Sequence, residues 1–307
     1  MRLITYASNP AAAPRIGVRV GHRVLDIEGA SRVDGEPLPN SMKGLLREGR
    51  GALARVQALA RKAQSNAGRL AGALFEERSI RFLPPVPDPE RLLCVDANDA
   101  ARAQEPGKNG RGDAARAVTK LNSCLVGHDA KVAIPPPARR LVCEPAFVFV
   151  VGRRALGVKG EEAMDCVVGV TLLNDFVERD MQPREAAPGE SSRTCGDAAG
   201  FTPLGPEIVT MDEIADPYDL WITCSVNGEE RLRASTREAV SRLPAILEHF
   251  SRTVPIEPGD MFSIGARGGV AAGKADASDP SLKPGDVVEC ALEGLTTLRT
   301  LIVAPSA

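Results

Sequence analysis

The chain reads as an α+β, β-rich fold, with a small N-terminal α+β domain over residues 1–80 and a larger β-rich sandwich or roll over residues 81–307. Three observations predict it. Hydrophobicity alternates over residues 15–27, the period of a strand pair. An Ala/Leu/Arg-rich stretch at 41–74 repeats its apolar residues at helical spacing. Beyond Leu92 the pattern becomes short β-rich runs cut by Gly and Pro turns.

Each element follows in order. The segment RIGVRVGHRVLDI predicts a hairpin with Gly21-His22 at its turn. Leu45, Leu46, Leu53, Val56 and Leu59 mark one apolar face, so two or so amphipathic helices are expected between Ser41 and Leu74. FLPPVPDPERLL then packs four prolines into the twelve residues 82–93, which marks a connector. The expected strands of the larger part are Leu92–Val95, Val132–Ile134, Phe147–Val151, Cys166–Leu173, Leu220–Val226, Met261–Ile264, Val287–Leu292 and Leu298–Val303. One helix is expected near Leu243–Phe250, where Pro244 fits only in the first turn. No internal repeat of fixed period is visible.

Composition excludes several function classes. Lys plus Arg is 38 against 40 for Asp plus Glu, a net charge near -2 without a basic tract, so a nucleic-acid partner is not expected. The longest apolar stretches, such as Ala146 to Val151, are too short to span a bilayer, and MRLITYASN does not resemble a secretory signal. Seven cysteines are scattered with no CxxC pair, which argues against a disulfide framework or zinc site and for a reducing cytoplasm. Most sit in apolar runs as small buried hydrophobes.

Three segments carry a stronger message. EPAFVFVVGRRA (144–155) resembles a strand with an E-x-E pair before a V-I-G-R turn, and VVGVTLLNDFVERDMQ (167–182) resembles a G-Y-x-x-x-N-D-x-x-x-R-D-x-Q signature. The third is a series of elements in matching order: PLGP at 203–206, VNGE at 226–229, IEPGD at 256–260 and KPGDVV at 283–288. Together they identify the chain, over roughly residues 82–304, as a divergent member of the fumarylacetoacetate hydrolase superfamily. The resemblance implies a mixed β-sandwich or roll and chemistry on small 2-oxo or 1,3-dicarbonyl acids: C–C hydrolysis or lysis, decarboxylation or tautomerisation. It also implies Mg²⁺ or Mn²⁺ held by three carboxylates, a His-Glu pair that activates water, a lysine in the pocket, and a homodimer.

Set against that pattern, the site is incomplete. Glu144 and Asp175 stand where two metal ligands are implied, but the third position, two residues after Glu144 and on the same strand face, is Ala146. The pair then reads either as a weak metal site or as a vestige held by hydrogen bonds, with Mg²⁺, Mn²⁺ or no cofactor at all. In the lid, Glu105 persists while the histidine position is Arg102, whose guanidinium stays protonated and cannot serve as a general base. The pocket lysine falls at Gly196, with Arg193 nearby, and a threonine and proline fall at Ala266 and Arg267. Lys120 fits the pattern, as do Asn174, Arg179 and Gln182. The candidate catalytic residues are therefore Glu105, Arg102 and Lys120, and the candidate substrate-binding residues are Arg179, Gln182, Arg267, Arg193 and Asn174. His22, His128 and His249 read as structural or solvated, and Cys143 and Cys195 as packing groups.

Two readings follow. One is an enzyme on a small oxo acid, with weakened or no metal dependence, in which Arg102 or Arg267 fills the former metal space or binds an acidic ligand. The other is an inactive relative that binds a small acid or a protein partner.

Overall fold

The computed structural model describes residues 1–95, 117–135, 140–178, 200–239, 241–265 and 281–304. The chain opens with β1 (Arg2–Ala7), the hairpin β2 (Arg15–Val20) and β3 (Arg23–Asp26), then α1 (Ile27–Asp34), α2 (Met42–Glu48), α3 (Arg50–Ser65), β4 (Leu74–Glu76) and β5 (Arg81–Leu83). It continues through β6 (Leu92–Val95), β7 (Ala117–Thr119), β8 (Leu125–Val126), β9 (Ala130–Ala133), β10 (Leu141–Val151), β11 (Val167–Glu178) and β12 (Thr202–Thr210). It ends with β13 (Trp221–Val226), β14 (Glu229–Ser235), α4 (Leu243–Ser251), β15 (Met261–Gly265), β16 (Val287–Leu292) and β17 (Thr296–Val303).

Local chemistry explains the ends of these elements. Gly21 turns the first hairpin with a positive φ of 61°. The Asp26 side chain caps α1 and Ser41 caps α2, each accepting from a backbone N–H of the first turn. Pro244 sits in the first turn of α4, where its missing N–H costs nothing.

Two sheets result. Twelve strands form the larger one, in the order β4-β3-β2-β1-β12-β11-β10-β15-β6-β7, with β5 on β1 and β8 on β12. Five form the smaller, β14-β13-β16-β17-β9. The N-terminal strands thus continue the large sheet through the pairing of β1 with β12.

The sheet residues point alternately to two cores. Ala146, Val148, Val150 and Leu173 pack with Leu45, Leu46, Val56 and Leu59 of the helices on one face. Phe147, Phe149 and Leu172 pack against α4, and Cys143, Phe176 and Phe201 against the small sheet, on the other. Gly169 of the V-V-G-V motif lies where a Cβ would run into the backbone of Val209 and Thr210, so only glycine lets β11 and β12 approach.

Candidate active site

The site grows from the middle of the β10–β11 ladder. Glu144 lies directly opposite Asp175, between the apolar pairs Val142–Val177 and Ala146–Leu173 on the helix-side face. Directly opposed residues have Cβ atoms about 4.5–5.5 Å apart, so the two carboxylates share one small volume. Asp175 is 18% exposed, and the Lys120 ammonium, 8% exposed, stands 2.9 Å from its Oδ1.

Lys120 arrives from a different part of the sheet. Its backbone N–H donates to Leu92 O at 3.0 Å at the end of β7. Asn122 then donates to Pro89 O at 3.1 Å, and the chain next runs beside β12 as β8, with Leu125 paired to Thr202. The segment therefore passes from the β6 edge to the β12 edge, and its first side chain reaches back to the carboxylates.

β12 supplies a residue that motif reading misses. Leu204 pairs with Leu173, and Phe176 N–H donates to Phe201 O at 2.8 Å in the same register, which sets Thr202 opposite Asp175. Phe201 and Phe176 share the small-sheet face, so Thr202 turns to the face of Asp175 and Glu144. In the sequence it is only the variable position before P-L-G-P, and register alone reveals it.

Asn174 needs a correction. Expected on the substrate side, it lies one residue from Asp175 on a regular strand and so faces the opposite core, between Leu172 and Phe176. It is 1% exposed, and neither its Oδ1 nor its Nδ2 has a hydrogen-bond partner. Cys143 likewise faces away from Glu144, its Sγ 3.7 Å from that of Cys224, which is 3.5 Å from that of Cys290. The hydrogen bond with Cys224, and then burial, push the Cys143 thiol up. The expected site residues Arg102, Glu105, Arg179, Gln182, Arg193 and Arg267, and the positions Gly196 and Ala266, lie outside the described residues.

A divalent ion fits this donor set poorly. Among the described residues no three His, Cys, Asp or Glu side chains converge on one point. The third acidic position is Ala146, 5% exposed, whose methyl belongs to the apolar core. Among the described residues a hard dication seeking about six oxygens would find two carboxylates and would compete with the ammonium already on Asp175.

The residues 91–303 match the family model for the fumarylacetoacetate (FAA) hydrolase C-terminal region. The chain belongs to the fumarylacetoacetate hydrolase family. Similar proteins include the oxaloacetate tautomerase Fahd2a, mitochondrial, of Rattus norvegicus, 30% identical over 99% of this chain and 92% of its own length. The oxaloacetate tautomerase fahd2, mitochondrial, of Xenopus laevis is 29% identical over 99% of this chain and 90% of its own. Among solved structures, a putative HpcE protein from Mycobacterium smegmatis superposes with a TM-score of 0.79 at 26% identity, covering 100% of both chains. Maleylpyruvate hydrolase from Sphingobium sp. SYK-6, solved with manganese (II) ion and pyruvate, has a TM-score of 0.75 at 23% identity over 100% of both chains and shares the fold. The family fold accounts for the β-rich two-sheet architecture. Among the described residues no helix is long and apolar enough to cross a membrane.

Proposed function

We propose that this chain is an enzyme that interconverts the keto and enol forms of a small 2-oxo acid, oxaloacetate being the first candidate. The observation that carries the reading is the Lys120 ammonium 2.9 Å from Asp175, the residue paired with Glu144, a fixed cation where an acid would bind. Support comes from the full-length likeness to oxaloacetate tautomerases.

The chemistry asks little of the site. A carboxylate takes a proton from the carbon next to the 2-oxo group. The electron pair moves into the C2–C3 double bond, and the charge arriving on the C2 oxygen is met by the ammonium. Protonation of that oxygen completes an isomerisation, with no co-reactant consumed. Glu144 is the candidate proton carrier and Lys120 the oxyanion partner, with Asp175 holding the lysine in place. Hydrolysis would require an activated water as well, and the position that supplies its histidine base in the family is Arg102. No step here is routed through a metal ion, since the donor set of the described residues suits one poorly.

We further read residues 1–80 as a unit joined to 81–307, and the enzyme as a homodimer of a reducing, cytoplasmic compartment; the six described cysteines are free.

The test is to follow ketonisation of enol-oxaloacetate by ultraviolet absorbance, with EDTA and then with Mn²⁺ added. Turnover that survives EDTA is expected. Mn²⁺-dependent splitting of acylpyruvates, with no effect on oxaloacetate, would overturn the proposal. Binding of the acid without turnover would favour the inactive relative.

A further inference from the structure

We propose that the Thr202 hydroxyl is a specificity-determining contact of this site, donating a hydrogen bond to an oxygen of the bound oxo acid; the inference rests on the oxo-acid reading above.

Thr202 is 0% exposed, and its Oγ1 has no hydrogen-bond partner. A hydroxyl cut off from water and left unpaired destabilises a fold, and valine would fill the same shape without that penalty. Other buried hydroxyls are also unpartnered, among them Thr171 and Thr300. What sets Thr202 apart is its place opposite Asp175, on the face that carries Glu144.

The surroundings define what the hydroxyl can meet. Leu125 of β8 lies beside it in parallel register, and Leu204 is the next residue on its own face. It is thus the polar end of an apolar wall, about 5 Å in Cβ spacing from the carboxylate that Lys120 holds. An acid of two to four carbons anchored on the ammonium would bring a second oxygen within reach of it. The carboxylate and keto oxygens of such an acid are acceptors, and a hydroxyl can donate to them where a neighbouring carboxylate would repel them.

The experiment compares the full-length protein with Thr202→Val, Thr202→Ser and Thr202→Ala, using pyruvate as the binding probe in calorimetry and oxaloacetate as the turnover probe. Thr202→Val is expected to weaken pyruvate binding and raise KM by about 10- to 150-fold, the range of one hydrogen bond to a charged group. Its kcat should stay within about threefold and its melting temperature at or above the wild-type value, and Thr202→Ser should restore affinity. A merely structural threonine would shift melting and leave KM alone. If Thr202→Val fails to fold, the serine-to-alanine ratio of KM gives the same readout. A wild type that binds pyruvate, with Thr202→Val binding equally well, overturns this inference alone. A wild type that neither binds pyruvate nor turns over oxaloacetate overturns the parent reading with it.

Discussion

Two aspartates, one buried and one half-buried, show how differently one side chain can be used in this fold. Asp26, 2% exposed at the end of β3, accepts from Tyr6 Oη at 2.9 Å, from Arg15 at 2.9 and 2.5 Å, and from Gly29 N–H at 2.7 Å. Every lone pair is used, and burial together with the Asp26 charge holds the Tyr6 phenol well above its ordinary value. Asp175 is held by the Lys120 ammonium at 2.9 Å, faces a second carboxylate, and lies opposite a buried hydroxyl without a partner. Saturated polar networks serve the fold. An unused donor beside a charged pair is what the proposed oxo-acid contact would occupy.

The largest effect that tests this contrast is on stability. Asp26→Ala removes the α1 cap and strands Tyr6 and Arg15, and should cost about 3–5 kcal/mol, the range for breaking a buried charge network. Its urea midpoint should fall accordingly, while KM and kcat of the protein that remains folded stay unchanged. Lys120→Met should behave the other way round. Loss of an oxyanion-stabilising donor costs about 10²–10³-fold in kcat. Its destabilisation should stay below about 2 kcal/mol, because Asp175 keeps partial access to water. Paired kinetics and urea titrations decide, and equal stability losses in the two variants would erase the distinction between the networks.

Much of this architecture is legible in the sequence because period-2 alternation survives in half-buried strands. Leu92–Val95 and Val287–Leu292 coincide with β6 and β16, and Leu243–Phe250 differs from α4 by one residue. The expected strands Phe147–Val151 and Cys166–Leu173 stop short of β10 and β11, because the polar residues Glu144, Asp175 and Glu178 still pair in the ladder. β12 escaped notice entirely. All nine of its residues are buried, so nothing alternates, and Pro203, Gly205 and Pro206 argue locally against a central strand. The site divides in the same way. Glu144 and Asp175 are readable from a motif, and Ala146 from the i, i+2 rule. The approach of Lys120 depends on a segment that crosses between sheet edges, and the place of Thr202 depends on strand register, neither of which has a local signature. The misplacement of Asn174 comes from reading a motif as one cluster, when neighbouring strand residues must part to opposite faces.

A third polar group refines the contrast, with the smallest expected effect. His128 is saturated only in one protonation state: its Nδ1 accepts from the Arg299 backbone N–H at 3.1 Å, and its ring packs edge-on against Phe82. Protonating Nδ1 would forfeit that bond. Burial, the largest influence, lowers the imidazole below its ordinary 6.5, although Asp129 pulls the other way. The Asp129 carboxylate is 3.4 Å from Nε2 but 54% exposed, so water screens its pull, and Glu77 is opposed by Arg19 and Arg299. The sign follows from proton counting. Above pH 6.5 the ring is neutral in both folded and unfolded chains and stability is indifferent to pH on its account. Below that value the unfolded chain takes up a proton that the folded chain refuses, so stability declines until the lower folded value is reached. Urea midpoints measured at pH 7.5 and 5.5 should therefore drop toward acid in the wild type and drop less in His128→Asn, whose side-chain oxygen can still accept from Arg299. If the two proteins lose stability in parallel, His128 belongs with the pH-indifferent packing of Phe82, and the acid sensitivity must come from another group.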